Sequence, residues 1–124
     1  MVVGLGVDVF DVPRMDEELR KDSGVALQLF SPEEIRYCDS QRYPAEHYAA
    51  RFAAKEAVFK ALAVASGQAP RWRDVEVRIT PEGGREVVLH GNLKELADRR
   101  GVRRIHASLS HTRALAMASV ILES

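Results

Sequence analysis

Two carboxylates and one lysine lie in segments where charge is unexpected. Asp8 interrupts an apolar N-terminal run, VVGLGVDVF, and Glu56 and Lys60 lie in the alanine-rich stretch RFAAKEAVFKAL, residues 51–62. A carboxylate in apolar surroundings must be paired, hydrogen-bonded or bound to a metal. Asp8 is therefore a candidate for a structural salt bridge or for a metal ligand. Glu56 and Lys60 are four residues apart, so on a helix they can also form a simple surface ion pair, worth ~0.2–0.5 kcal/mol.

The same stretch carries two further cations, Arg51 and Lys55. Its alanines and aromatics, without Gly or Pro, predict a helix that is apolar nearly all round and therefore buried. Like charges four residues apart repel, and no carboxylate nearby in sequence compensates Arg51 and Lys55. An anionic ligand would resolve this conflict, with a divalent cation joining Glu56 to a phosphate. Magnesium suits one or two carboxylates together with phosphate oxygens.

His111 lies at the connection between two C-terminal strands, where it is either a hydrogen-bond donor to a ligand or a solvated turn histidine. Ser108 and Ser110 beside it point only weakly to a hydrolase, because the sequence has no nucleophile elbow and no evident orienting acid. The remaining histidines lack metal-ligand spacing, and we interpret them as structural: His47, His90 and His106.

The stretch GLGVD, residues 4–8, is not a dinucleotide-binding fingerprint, because Val9 stands where the third glycine is required. Two glycines in a strand instead indicate that another backbone packs close to it.

The elements that must position these residues follow the order β-α-α-α-β-β-α-β-β. Neighbouring hairpins without βαβ alternation predict an α+β fold, a single small domain over residues 1–124 with a mainly antiparallel sheet packed on a long central helix. Asp11 is the predicted N-cap of the first helix and Gly24 its terminator, and Ser31 with Glu34 forms a capping box for the second. The remaining predicted elements are the third helix Ala45–Ala65, a loop at 66–74, strands 1–10, 75–79, 86–90, 104–110 and 114–123, and a short helix at 92–100.

Composition limits the classes of protein. With 124 residues, 46% apolar and 29% charged, the chain has the profile of one ordinary globular domain. Eighteen basic residues balance eighteen acidic ones, so we expect neither nucleic acid nor a membrane surface as partner. The single cysteine, Cys38, excludes an intrachain disulfide, and the N-terminal apolar run is too short to span a bilayer and lacks a basic leader. We expect a cytoplasmic protein.

These motifs together resemble the holo-acyl-carrier-protein synthases, the small bacterial type of 4′-phosphopantetheinyl transferase. The family pattern G-x-G-x-D matches residues 4–8, and F-[AS]-x-K-E-x-x-x-K-A matches residues 52–61. Arg14 and the sequence Ser-Leu-Ser-His at 108–111 match as well. One departure is Glu86, which stands where the family often has proline after G-[KR] and before its third strand.

The resemblance implies transfer of 4′-phosphopantetheine from coenzyme A to a serine of an apo acyl carrier protein, releasing adenosine 3′,5′-bisphosphate. The product serves fatty acid or polyketide synthesis. It also implies a homotrimer with active sites between subunits and a Mg2+ ion held by Asp8 and Glu56. Glu56, or a metal-bound water under its control, would take the serine proton, and Lys60 would stabilise the leaving phosphate. The expected coenzyme A-binding residues are Arg51, Lys55, Lys60 and His111.

Arg14 and Lys21 are two helical turns apart and project from one face of the first helix. Because acyl carrier proteins are acidic, this face is a candidate carrier-protein-binding surface. A solvated face of mixed charge, with Glu17 and Glu18 nearby, is the alternative. Two other functions also remain open: a different magnesium-dependent phosphoryl-transfer enzyme, and a non-catalytic module that binds a carrier or forms a trimer.

Overall fold

The computed structural model describes residues 1–64 and 71–124. Five strands and five helices follow one another along these residues, with a 3-10 turn at Trp72–Asp74. The strands are β1 (Val2–Asp11), β2 (Val75–Ile79), β3 (Arg85–Leu89), β4 (Arg104–His111) and β5 (Leu115–Glu123). The helices are α1 (Val12–Lys21), α2 (Val25–Leu29), α3 (Pro32–Asp39), α4 (Pro44–Ala61) and α5 (Gly91–Arg99).

All strand pairs are antiparallel. β5 lies between β1 and β4 in a three-stranded sheet, and β2 and β3 form a separate hairpin. The long helix α4 packs against one face of the three-stranded sheet, chiefly against β1 and β5. The predicted α+β fold, with antiparallel strands on a long central helix, is confirmed.

Local signals in the sequence fix several element boundaries. The Asp11 side chain accepts a hydrogen bond from the Arg14 backbone N–H at 2.8 Å, so Asp11 caps α1 as predicted. The capping box also forms: the Ser31 hydroxyl accepts from the Glu34 N–H, and the Glu34 carboxylate accepts from the Ser31 N–H. Both caps satisfy backbone donors that the first turn of a helix leaves without partners.

The main differences from the prediction are two helix ends and one additional short helix. α1 ends at Lys21, and Gly24 precedes the five-residue helix α2, which the sequence did not reveal because so short a helix shows no periodicity. α4 ends at Ala61, with Leu62 as its C-cap. Ala65, the predicted end of that helix, and residues 66–70 of the predicted loop lie outside the described residues.

Gly4 and Gly6 allow β1 to approach α4 closely. A Cβ atom added to Gly4 would lie 2.4 Å from the Ala61 carbonyl oxygen, and one added to Gly6 would lie 1.9 Å from that of Ala57. The interpretation of these glycines as a site of close backbone packing is therefore confirmed. The contact brings the part of β1 that carries Asp8 against the last two turns of α4.

Helix α4 is buried on nearly all sides, as its composition predicted, and eleven of its residues are buried, including Arg51 and Lys55. Within residues 1–64 and 71–124, none of the helices combines the length and the apolar character that crossing a bilayer requires.

Candidate active site

Asp8 and Lys60 form an ion pair between β1 and α4. The Lys60 Nζ donates to Asp8 Oδ1 at 2.8 Å and to the Val7 carbonyl oxygen at 3.1 Å. Asp8 faces α4 because its neighbours Val7 and Val9 point to the opposite, exposed side of the strand. Among the described residues, Lys60 makes no ion pair with Glu56, so the simple helix pair that the spacing allowed is not formed.

Glu56 lies one turn before Lys60 on α4 and is partly buried. Burial raises the pKa of Glu56 above its ordinary value, the negative charge of Asp8 raises it further, and Lys60 opposes both. Asp8 and Glu56 both carry negative charge and repel each other, so a divalent cation bound between them would relieve the repulsion. Carboxylate oxygens are also the ligands that magnesium prefers, so these two residues fit a magnesium site.

Lys55 has a different role from the one its sequence position suggested. It is fully buried, and its Nζ donates to Glu34 Oε1 at 2.9 Å, to the Trp72 carbonyl at 3.1 Å, and to the Val75 carbonyl. An ammonium group has three donors, and all are used here. The sequence offered no local partner for Lys55, and the fold supplies one in Glu34, which is distant in sequence but adjacent in space. The charge of Lys55 is thus balanced within the chain and does not call for an anionic ligand such as coenzyme A.

Arg51 is also buried, at 1% exposure, but it lacks a full set of partners. Its guanidinium carbon lies 4.4 Å from the centroid of the Tyr37 ring, and its Nε has no hydrogen-bond acceptor among the described residues. A buried charged donor without an acceptor is costly. Arg51 therefore remains a candidate for contact with an anionic ligand.

Arg85 approaches the same Tyr37 ring, with its guanidinium carbon 5.6 Å from the centroid. Its Nη2 also donates to the Tyr37 hydroxyl at 3.3 Å. Arg85 is the first residue of β3, and the sequence gave no sign that it lies on the same ring as Arg51.

His111, at the end of β4, is exposed to solvent, but its ring also contacts two residues of α4. Its Nδ1 lies 3.7 Å from Glu46 Oε2, and the centroids of the His111 and His47 rings are 5.0 Å apart. Burial lowers the pKa of His47, and positive charge on His111 and Arg51 lowers it further. His47 was interpreted as structural, but the fold places it beside a second histidine and a carboxylate.

His90 and His106 each contact a glutamate on a neighbouring strand. His90 Nε2 lies 3.1 Å from Glu76 Oε1, and His106 Nε2 lies 3.3 Å from Glu123 Oε1.

The exposed face of α1 has mixed charge. Lys21 pairs with Glu17 at 3.2 Å, and Arg20 pairs with Asp16 at 3.1 Å. Arg14 makes no ion pair among the described residues, and its guanidinium carbon lies 5.4 Å from the Phe10 ring centroid. Of the two predicted carrier-binding residues, Arg14 is thus the one whose charge no described carboxylate balances.

Comparisons with known proteins agree over almost the whole chain. Holo-[acyl-carrier-protein] synthase of Syntrophus aciditrophicus (strain SB) is 44% identical over 124 residues, covering 99% of this chain and 97% of that protein. The crystal structure of the Neisseria meningitidis synthase has a TM-score of 0.86 at 27% identity, with both chains fully covered. That of the Helicobacter pylori synthase in complex with coenzyme A has a TM-score of 0.82 at 28% identity, covering 96% of this chain and 99% of that one. Residues 4–118 match the family model for the 4′-phosphopantetheinyl transferase superfamily, and the chain belongs to that superfamily.

Proposed function

We infer that this protein is a holo-[acyl-carrier-protein] synthase, which transfers 4′-phosphopantetheine from coenzyme A to a serine of an apo acyl carrier protein. The observation that carries this inference is the grouping of Asp8, Glu56 and Lys60 at the contact of β1 and α4. The relatives support the substrates: curated proteins similar over nearly their full length are named for this activity, and the Helicobacter pylori structure contains coenzyme A.

In the proposed reaction the serine hydroxyl oxygen bonds to the phosphorus next to pantetheine, and the bond from that phosphorus to adenosine 3′,5′-bisphosphate breaks. Glu56 accepts the serine proton, as a positioned carboxylate does in general base catalysis. The Lys60 ammonium stabilises the charge that develops on the leaving phosphate. Asp8 and Glu56 would hold a magnesium ion, which when bound neutralises phosphate charge and polarises the phosphoryl group.

The proposed coenzyme A site contains Arg51, Lys60 and His111. The buried Arg51 Nε without a described acceptor supports it, since a phosphate oxygen is one of the acceptors that suit a guanidinium donor. Arg85 lies on the same tyrosine ring as Arg51 and would add to the positive charge around the phosphates.

For the carrier protein, we propose docking on the face of α1 that bears Arg14 and Lys21. α1 follows directly from β1, so its first turn lies near Asp8 along the chain. A cation at Arg14 would attract an acidic carrier and orient its serine toward the phosphoryl group.

We further propose a homotrimer with active sites between subunits. On the sheet face that points away from α4, β1 and β5 present an exposed, largely apolar surface, and cross-strand pairs such as Leu5 with Ile121 and Val9 with Met117 make the patch continuous. Such patches mark interaction surfaces. A second copy seated there would bury this apolar surface. The exposed side chains are Val3, Leu5, Val7, Val9, Leu115, Met117 and Ile121.

We place the activity in the cytoplasm, in fatty acid or polyketide synthesis. The free, buried thiol of Cys38 is compatible with a reducing compartment.

The direct test is mass spectrometry of an apo acyl carrier protein after incubation with this protein, coenzyme A and magnesium. We expect the carrier to gain one phosphopantetheine group and adenosine 3′,5′-bisphosphate to appear in equal amount. Chelator should abolish the reaction and excess magnesium restore it. An unmodified carrier would contradict the proposal and favour the non-catalytic module. A different product from coenzyme A would favour another phosphoryl-transfer enzyme.

A further inference from the structure

A second group of possible metal ligands lies apart from Asp8 and Glu56. Glu46 and His47, in the first turns of α4, meet His111 from the end of β4. One ligand atom from each of the three residues lies within 4.8 Å of the other two. The three residues come from chain segments more than sixty positions apart, so only the fold brings them together.

Glu46 is the buried member of the group, and one of its carboxylate oxygens faces His111. It is buried, at 7% exposure, yet its two cationic neighbours are beyond hydrogen-bonding distance. Arg113 Nε stands 3.6 Å from Oε1, and His111 Nδ1 stands 3.7 Å from Oε2. A buried carboxylate normally has close hydrogen bonds or a bound cation.

The spacing of the three groups is close to what a small metal ion requires. With metal–ligand bonds of ~2.0–2.1 Å in tetrahedral geometry, ligand atoms lie about 3.4 Å apart. The separation of 3.7 Å between Glu46 Oε2 and His111 Nδ1 is already near this value. The ligand atom of His47 lies within 4.8 Å of the other two, so the three groups must draw closer together to reach this spacing.

We propose that Glu46, His47 and His111 bind a zinc-type transition-metal ion. Two imidazoles and one carboxylate suit Zn2+, Cu2+ or Ni2+, whereas magnesium prefers oxygen ligands. Three protein ligands leave a fourth position for water. Arg113 contacts the other oxygen of Glu46 and would hold the carboxylate in orientation, as groups around bound metals commonly do. The positive charges of Arg113 and Arg51 nearby weaken any cation site, so we expect lower affinity than in a structural zinc centre.

The site has a consequence for the enzyme that rests on the proposed function. His111 is also a proposed coenzyme A-binding residue, and a metal held by its Nδ1 would fix the orientation of the ring and so constrain how its other nitrogen meets a phosphate. Zinc should therefore compete with coenzyme A, which makes this cluster a point of inhibition by transition metals.

The test uses the full-length protein without a histidine tag, in millimolar magnesium so that Asp8 and Glu56 are occupied by the metal that suits them. Calorimetric titration with Zn2+ should show one saturable site per chain, and Co2+ should give the visible absorption of a low-coordinate cobalt complex. His47→Gln, Glu46→Gln and His111→Gln should each weaken Zn2+ binding by about tenfold or more, as loss of a direct ligand must cost at least as much as loss of a supporting group.

His106→Gln is the matched control, because His106 also contacts a glutamate but lies outside the cluster of Glu46, His47 and His111. It should bind Zn2+ as the parent does. Unchanged affinity for Zn2+ in His47→Gln and Glu46→Gln, or an equal loss of affinity in His106→Gln, would overturn the proposal.

In a transferase assay, Zn2+ should raise the apparent KM for coenzyme A in the parent and much less in His47→Gln. If the ligand variants lose zinc binding but zinc does not change the KM for coenzyme A, the metal site is supported and the competition with coenzyme A is overturned.

Discussion

Lys60 Nζ lies 2.8 Å from Asp8 Oδ1, which joins two residues 52 positions apart in the chain. The ammonium is half-exposed while the carboxylate is mostly covered, so the pair lies at the edge of the site with the lysine toward solvent. The Lys60 ammonium can therefore leave the Asp8 carboxylate and bind a phosphate oxygen of the substrate instead. This gives the lysine two partners at different stages of the proposed reaction.

Lys60→Ala should lower kcat by about 10²–10³-fold, the usual cost of removing one donor that stabilises transition-state charge. Loss of the positive charge should also raise the pKa of Glu56 further, because Lys60 lowers it in the parent. Steady-state kinetics with an apo carrier protein measure the first effect. A kcat within twofold of the parent would contradict the role assigned to Lys60.

Asp8→Asn should lower the pKa of Glu56 in magnesium-free protein. The negative charge of Asp8 raises that pKa in the parent, so removing the charge moves it back toward its ordinary value. Carbon-detected NMR titration of the Glu56 carboxyl measures the change. The matched variant Asp16→Asn, on α1, should leave the Glu56 titration where it is. A Glu56 pKa that is unchanged by Asp8→Asn would show that the two carboxylates do not share a site.

Lys55→Met should destabilise the fold while leaving coenzyme A binding intact in the protein that remains folded. Breaking a fully buried ion pair leaves an uncompensated charge on Glu34, at a cost of ~3–5 kcal/mol in the free energy of unfolding. Adding Glu34→Gln should recover part of this loss. Urea unfolding measures stability and calorimetry measures coenzyme A affinity.

The surface pair Lys94–Asp98 on α5 supplies the control for that experiment, since both side chains are about half exposed. Lys94→Met should change the free energy of unfolding by no more than ~1 kcal/mol. A stable Lys55→Met protein with weakened coenzyme A binding would restore Lys55 to the ligand site and contradict its structural assignment.

Arg14→Glu should raise the KM for the carrier protein without changing coenzyme A affinity. The reversed charge repels an acidic partner, and the effect should shrink as salt rises, since the Debye length falls to ~8 Å near 0.15 M. Arg99→Glu, the same charge change on the exposed surface of α5, should behave as the parent. Normal carrier kinetics for Arg14→Glu at low salt would place docking on another surface.

Leu5→Glu should convert the assembly to monomers. Leu5 is 68% exposed in the single chain and lies opposite Ile121 in the apolar sheet face, so a charge there would be desolvated in any subunit contact. Sedimentation velocity measures the change, and activity should fall with it if sites are shared. A parent protein that sediments as an active monomer would refute the trimer.

Local sequence signals predicted local structure well. The Asp11 cap, the Ser31–Glu34 capping box and the strand Val75–Ile79 all depend on a few adjacent residues, and each appears where it was predicted. The short helix α2 was missed because five residues carry too little periodicity to be distinguished from a loop. The end of α1 was misplaced because Gly24 was interpreted as a terminator, whereas Asp22 is the C-cap.

The sequence by itself determined the antiparallel α+β fold, the burial of α4 and the close packing of β1 at Gly4 and Gly6. These features follow from periodicity, helix caps and glycines, which are signals carried by residues close together in the chain. It also supplied Asp8, Glu56 and Lys60 as the chemical groups. Only the tertiary structure decided which partner each charge has. Glu34 neutralises Lys55 and Asp8 binds Lys60, although each pair is separated by twenty residues or more. Ion pairs depend on distance through space, and sequence spacing reveals that distance only within one helix or strand.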